Sequence, residues 1–492
     1  MPDLFTLPGP PLFSVPQLVE TQAQRQPMAI AASSEDVQLT YGGLYELARQ
    51  IASELARRGV PSGSVVAAYL PRGPHVLATQ LGIWLHSCVA LVIDPGLPPN
   101  RVAALIGDAQ PKAIVLDGNG TGLPPGPGTI ALGELKDDAW HAPRTPEADP
   151  TPAYLVYTSG STGVPKGVLV GHRSFAHLAR WHSVEYAVGR HDRASSLAAT
   201  SFDAFIWETW PYLCSGASVY FAPEEVRVSP WELSDWLVAK DISIAFAPTP
   251  LAEAYIRHGS KFEQLRTLLT GGDQLRLPGG HPFRELVNHY GPTEATVVAT
   301  RTPVDPAASG AIGIGWPIPS VHTLILDDDL AHVPVGQTGQ LYLGGECLAL
   351  GYLQDPQRTE SSFIHLSGHP GRWYNTGDLV AIENSGLSFK GRADRQVKVR
   401  GVRVEPAEVE VVLAGHPSVE DVAVELDPTH SELVAFVVPS QGTTPAEGEL
   451  REHAAKELPA AMVPRLYRFL DKLPLTVNGK VDRAVLTRLD QR

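Results

Sequence analysis

The chain has 492 residues, 43% of them apolar and 19% charged, enough core for about three globular domains or subdomains. Its formal net charge of −14 argues against a nucleic-acid binder, because phosphate backbones call for a positive surface. Cys88, Cys214 and Cys347 are odd in number, far apart and without metal-ligand spacing, so they read as buried free thiols of a reducing cytoplasm. The first twenty residues lack a basic segment followed by a continuous apolar core, so no signal peptide is expected. No run of 18 apolar residues predicts a membrane span.

In residues 43–57, Leu44, Leu47, Ala48, Ile51 and Leu55 recur at helical spacing. Apolar runs at 65–70 and 89–93 flank a helical stretch, and this alternation predicts a mostly parallel sheet covered by helices. DGNGTGLPPGPG at 117–128 predicts an exposed loop, residues 150–300 a further α/β stretch, and residues 310–353 a compact β unit. Beyond Arg392 the character changes. Residues 397–405 alternate basic and apolar side chains, 408–414 start a helix, 418–426 and 433–438 read as strands, and 446–457 as a helix. These form a small α+β unit of about 100 residues. The boundary is placed at Asp394, giving a large domain of 1–393 and a small one of 394–492.

TSGSTGVPKG at 158–167 follows the apolar run 153–157. Its glycines let backbone N–H groups converge, and Thr158, Ser159, Ser161, Thr162 and Lys166 add donors and charge, which makes a cradle for phosphate oxygens. A Walker A spacing cannot be laid over it; a glycine-rich surface turn is the plainer alternative. NHYGPTE at 288–294 puts Glu294 in a Gly-Pro turn, where one carboxylate beside phosphates suits Mg²⁺, although alone it would be a solvated glutamate. YNTGDL at 374–379 presents Asp378, an acceptor for both hydroxyls of a ribose diol. GRAD at 391–394 offers the forked donor Arg392 beside Asp394, a candidate hinge. Lys480 in NGK is a surface charge unless a mobile domain carries it to a phosphorus centre.

With LTYGGL (39–44), SFDAFIWE (201–208), GQLYLGG (339–345) and QVKVRGVRVEPAEVE (396–410), these motifs run in order through residues 39–483. They resemble the adenylate-forming superfamily of acyl-CoA synthetases, peptide-synthetase adenylation domains and firefly-type luciferases. Within it the chain is most similar to a nonribosomal-peptide-type adenylation domain. The resemblance implies a large α/β domain with helix-covered sheets and a small β unit, then a small mobile α+β domain. It implies ATP and Mg²⁺, with Glu294 as the metal residue, and catalytic roles for Lys480, Thr158, Ser159, Lys166, Glu294 and Arg392. ATP contacts are implied for Gly160, Ser161, Thr162 and Gly163 as well, and for Gly271, Gly272, Asp273, Asn288, His289, Tyr290, Gly291, Thr293 and Asp378.

Asp203 matches the aspartate that pairs with a substrate α-ammonium group, which could not be buried without a carboxylate partner. The implied pocket comprises Asp203, Ala204, Trp207, Ala245, Leu269, Gly271, His289, Val297, Val298 and Lys480. Apart from Asp203, His289 and Lys480 it is apolar, so a hydrophobic, leucine-like L-amino acid is expected, with alanine or an aromatic residue still open. Gln340 replaces a usual Glu, Leu350 a usual Arg, Asn375 a usual basic residue and Pro406-Ala407 the usual Leu-Gly. The implied reaction is formation of an aminoacyl-adenylate with pyrophosphate release, then transfer to the phosphopantetheine thiol of a carrier protein. No Gly-Gly-x-Ser attachment motif follows Arg492, so the chain, if complete, resembles a stand-alone enzyme that loads a separate carrier in trans; a domain excised from a larger synthetase would read the same. Two alternatives stay open. Asp203 disfavours a coenzyme A ligase for plain carboxylic acids, and the joint presence of Lys166, Glu294, Asp378 and Lys480 disfavours a non-catalytic nucleotide-binding regulator.

Overall fold

The computed structural model describes residues 13–118, 123, 128–136, 151–160, 165–227, 229–258, 263–427, 431–443, 445–474, 481–483 and 485–486. Most of the expected 117–128 loop lies outside these residues.

Among the described residues, two large sheets dominate. One orders nine strands as Trp316–Pro317, Thr300–Pro303, Leu286–Tyr290, Thr267–Gly271, Ile244–Pro248, Arg193–Ser196, Ser218–Phe221, Ile30–Ser33 and Gln38–Thr40. The other orders seven as Gly351–Tyr352, Lys166–Gly171, Pro152–Thr158, Val89–Ile93, Val65–Tyr69, Ala113–Leu116 and Gly128–Ala131. Their central strands are parallel, while antiparallel strands close three of the four edges. A parallel strand covered on both faces must be apolar throughout. Val89–Ile93 (VALVI) is buried at every position.

Helices fill the space beside the sheets. Tyr41–Arg57 begins at Thr40, whose side chain accepts from the Gly43 N–H at 3.1 Å. Pro74–Leu85 (PHVLATQLGIWL) is buried at every residue except His75, as a helix enclosed all round must be. The Trp84 ring meets Phe175 at 5.3 Å and Trp210 at 4.6 Å, and its indole N–H donates to Ala153 O at 2.7 Å. This cluster locks helices Pro74–Leu85, His172–Glu185 and Asp203–Cys214 onto strand Pro152–Thr158, which delivers the phosphate-loop motif.

A third sheet holds five antiparallel strands: Val321–Leu326, Gly339–Gly345, His369–Glu383, Phe363–Leu366 and Gly386–Arg392. The β unit expected at 310–353 captures only the first two. Two departures from the family pattern are partners here, since Gln340 Nε2 donates to Asn375 Oδ1 at 2.7 Å, a neutral hydrogen bond where the usual pair carries charge.

Past Arg392, a hairpin of Val397–Val399 and Val402–Val404 leads into helix Pro406–Ala414, strands Val419–Asp427, Glu432–Pro439 and Leu466–Phe469, and helix Glu447–Glu457. Val404, Val409, Leu413, Val424, Ala435 and Leu450 pack into a core of their own. Pro406 occupies the first helical turn, where a missing N–H breaks no hydrogen bond.

Helices Tyr41–Arg57 and Pro74–Leu85 cross at Gly82, where a Cβ would lie 2.6 Å from Ala48 O and 2.8 Å from Ile51 Cβ. We expect Gly82→Ala to destabilise the protein by about 1–3 kcal/mol through forced separation of the two helices. A urea midpoint equal to that of the wild type would show that the crossing relaxes freely.

Candidate active site

The C-terminal ends of the central parallel strands open onto a cavity of about 490 Å³, the usual ligand position in such sheets. Strand Pro152–Thr158 contributes Thr158 and Ser159 to its wall, and strands Thr267–Gly271 and Leu286–Tyr290 contribute Gly271, His289 and Tyr290. Helix Asp203–Cys214 brings Asp203, Ala204 and Trp207, and the C-terminal hairpin brings Lys398, Gly401 and Arg403. Gly272 has a φ of +94°, a conformation that favours glycine, and a Cβ there would also crowd Gly401 O at 3.3 Å.

At the phosphate-loop end, Thr158 Oγ1 is buried without a hydrogen-bond partner among the described residues, and so is Arg403 Nε. Unpaired buried donors of this kind are satisfied by ligand oxygens or water, so the donor set fits phosphate. Ser159 Oγ donates to Arg403 O at 3.0 Å, and Gly160 N donates to Glu408 Oε2 at 3.2 Å. Glu408 is held in turn by Arg101 at 2.6 Å, so a carboxylate from beyond Asp394 sits where a phosphate oxygen would be received. Burial pushes its carboxyl pKa up, against the pull of Arg101. Ser161, Thr162, Gly163 and Lys480 lie outside the described residues.

Glu294 is fully buried. Its Oε1 accepts from Lys166 Nζ at 2.9 Å and Tyr352 Oη at 2.8 Å, and its Oε2 accepts from Arg403 Nη1 at 2.8 Å. Burial alone would raise its pKa, but Arg403 and Lys166 hold it well below the usual carboxylate range. At the carboxylate expected to hold Mg²⁺, Oε2 already faces the Arg403 guanidinium. Asp378 is also buried and accepts from Tyr290 Oη on one oxygen and Arg392 Nη1 on the other. Each oxygen keeps a lone pair for a ribose hydroxyl. Arg392 further grips Asp394 through Nε at 2.6 Å and Nη2 at 2.7 Å.

Asp203 is half-buried in the first turn of its helix, where backbone N–H groups favour a carboxylate. Desolvation raises its pKa, while a 2.6 Å hydrogen bond from Thr293 Oγ1 lowers it. Thr293, implied as an ATP contact, thus positions the Asp203 carboxylate. Trp207 and His289 face each other at 4.8 Å, and Trp207 meets Phe246 at 5.2 Å. Thr296 and Val297 adopt left-handed φ values of 51° and 69°, which for β-branched residues costs about 1–3 kcal/mol each. Thr296 Oγ1 donates to Cys347 O at 2.6 Å and holds that turn, which carries Val297 and Val298 into the cavity wall.

Seven of the implied residues that are described lie off the cavity lining: Gly160, Lys166 and Glu294, held in the contacts given above, and Ala245, Leu269, Asn288 and Asp273. Ala245 packs into the core on the opposite side of its sheet with Leu268, and strand alternation presents Phe246 in its place. Leu269 pairs with Phe246 in register and lies in the core, outside the lining. Asn288 turns its amide to Gly313 O at 2.9 Å, and Asp273 accepts from Gln274 N at 2.7 Å, both off the lining. Sequence reasoning missed Phe246, which the two-residue strand period would have found. It also quoted the 396–410 motif without assigning roles to Arg403 and Glu408, which only long-range docking reveals.

A cavity of parallel-strand ends that carries a phosphate-loop motif and the buried carboxylate of Asp378, with a C-terminal hairpin over it, is the arrangement of an adenylate-forming ligase. The chain belongs to the AMP-binding enzyme family, whose profile matches residues 19–353; that of the AMP-binding enzyme C-terminal domain matches 408–480. Enzymes of this family use ATP and Mg²⁺.

Among curated relatives, it is 40% identical over 490 residues to one of the linear gramicidin synthase subunits of Brevibacillus parabrevis, covering 95% of this chain and 6% of that protein. It is 38% identical over 487 residues to bacitracin synthase 1 of Bacillus licheniformis, covering 96% and 9%. The chain therefore spans a small part of the length of these relatives. Among solved structures, it superposes with a TM-score of 0.84 and 26% identity on holo-PA1221, an NRPS protein containing adenylation and PCP domains, covering 97% and 84% of the two chains. The fold is shared with the NpsA-ThdA fusion from Klebsiella oxytoca, at TM-score 0.83, 24% identity and 93% coverage of each chain. No helix among the described residues is long and apolar enough to cross a membrane.

If Arg403 occupies the seat of a divalent cation, Arg403→Ala should bind Mg²⁺-pyrophosphate several-fold more tightly in isothermal titration calorimetry. Equal or weaker binding would show that the guanidinium and the metal do not compete for Glu294.

Proposed function

We propose that the chain activates a hydrophobic L-amino acid with ATP and then loads it onto the phosphopantetheine thiol of a separate carrier protein. In the first step an amino-acid carboxylate oxygen attacks the α-phosphorus, and the bond to pyrophosphate breaks. In the second, the thiol sulfur attacks the acyl carbon and AMP departs with the bonding electrons.

The observation that carries this reading is Asp203, a lone carboxylate in an otherwise apolar part of the cavity wall. An α-ammonium group beside it would keep the carboxylate ionised despite its desolvation. The indole N–H of Trp207 donates to His182, and both nitrogens of His289 are engaged by Thr270 and Tyr186. Neither ring therefore offers a hydrogen bond to a substrate side chain, which supports an apolar one. In this reading Thr158 and Ser159 donate to phosphate oxygens, Lys166 offsets their charge, Asp378 receives the ribose diol, and Glu294 would hold Mg²⁺. Lys480, assigned by its motif, bridges carboxylate and α-phosphate. Asp394 acts as a hinge between segments 1–393 and 394–492, supported by the change in composition there.

Amino-acid-dependent pyrophosphate exchange tests the proposal. We expect exchange with hydrophobic amino acids and none with their deamino analogues. Exchange with the analogues alone would favour a coenzyme A ligase, and ATP binding without exchange a regulator. Asp203→Ala should lose about 100- to 1,000-fold in kcat/KM for the amino acid, the cost of an unpaired buried ammonium group. Retention of full activity would remove Asp203 from the substrate. Lys480→Ala should lower the adenylation rate by about 100-fold or more, a drop that wild-type rates in the variant would contradict.

A further inference from the structure

We propose that His182, in the last turn of helix His172–Glu185, and Tyr186, the residue that caps its C-terminus, are positioning residues that set the side-chain preference of the substrate pocket although neither lines the cavity. The inference rests on reading the cavity as an amino-acid site.

Trp207 and His289 make one corner of that pocket, with their rings 4.8 Å apart at 61°. Each is held by one residue of the helix behind. The Trp207 indole N–H can only donate, and it reaches His182 Nδ1 at 2.9 Å, so Nδ1 is the unprotonated nitrogen and the neutral imidazole carries its hydrogen on Nε2. Desolvation by burial, which pushes the His182 pKa well down, agrees with a neutral ring. His289 Nδ1 lies 3.1 Å from Thr270 O and must donate there, which leaves Nε2 to accept from Tyr186 Oη at 2.6 Å. Burial pushes the His289 pKa down to about 3, so it too is neutral.

All four side chains are buried, and the helix spacing of four residues matches the separation of the two rings it holds. The consequence is chemical. With both helix partners in place, the pocket corner shows a substrate only carbon edges and faces. Without the His182 acceptor, the indole N–H is buried and unpaired, a penalty that turning the ring towards an acceptor on the substrate would relieve. Without the Tyr186 hydroxyl, His289 Nε2 loses its donor, and a hydroxyl or amide on the substrate gains a partner. Positions that no ligand touches thus decide whether polar side chains are rejected.

The test uses the full chain in a pyrophosphate-exchange panel, with the ratio of kcat/KM for the preferred apolar amino acid to that for glutamine, asparagine, serine and threonine as readout. His182→Phe and Tyr186→Phe should each shift this ratio at least tenfold towards the polar substrates, with KM for ATP within twofold of the wild type. His182→Asn, whose Oδ1 can overlay the lost Nδ1, should restore the wild-type ratio. A uniform loss over all substrates in both variants would reduce the two residues to packing and overturn the proposal. So would a His182→Asn ratio equal to that of His182→Phe. Tyr186→Phe removes a single oxygen, so its ratio decides the matter if His182→Phe fails to fold. Absence of any amino-acid-dependent exchange in the wild type would instead overturn the functional reading, and the specificity claim with it.

Discussion

The buried carboxylate of Glu294 is the constraint around which the site is organised. A charge removed from water is severely penalised unless paired and hydrogen-bonded on all sides. Here Lys166 comes from the strand after the phosphate loop, Tyr352 from the edge strand beside it, and Arg403 from the C-terminal hairpin. The backbone oxygen of Glu294 also accepts from Ala349 N at 2.9 Å. One side chain therefore ties together segments that begin nearly 240 residues apart in sequence.

The same logic governs the contact between the C-terminal segment and the phosphate loop. Glu408 receives the Gly160 N–H and the Arg101 guanidinium, while Arg403 balances Glu294. An anion and a cation from beyond Asp394 thus sit against the Gly160 N–H and the Glu294 carboxylate. Among the described residues, the Thr158 hydroxyl and Arg403 Nε stay without a hydrogen-bond partner in this arrangement.

The pocket corner behaves differently, since its polar atoms are satisfied outward rather than inward. Trp207 and His289 are polar residues by composition, yet their hydrogen bonds to His182, Thr270 and Tyr186 leave an apolar wall. The left-handed turn at Thr296 and Val297 adds further shape to the same wall, at the expense of local backbone strain.

Local pattern was enough to read much of the chain. Helix Tyr41–Arg57, strand Val89–Ile93 and the order of elements after Arg392 follow from periodicity alone, because side-chain spacing reports which face is buried. The phosphate-loop motif and the Phe202-Asp203-Ala204 segment could be singled out because each is a run of contiguous residues. Ala245 and Asn288 were misplaced because a motif position does not say which face of a strand it occupies, and a shift of one residue moves a side chain to the other side. The pairing of Glu294 with Arg403, the capture of Gly160 by Glu408 and the grip of His182 and Tyr186 on the pocket join residues distant in sequence. Sequence by itself determined which chemical groups are present and in what order. Tertiary structure alone decided which of them meet, because burial and pairing of polar groups depend on packing between segments that no local pattern encodes.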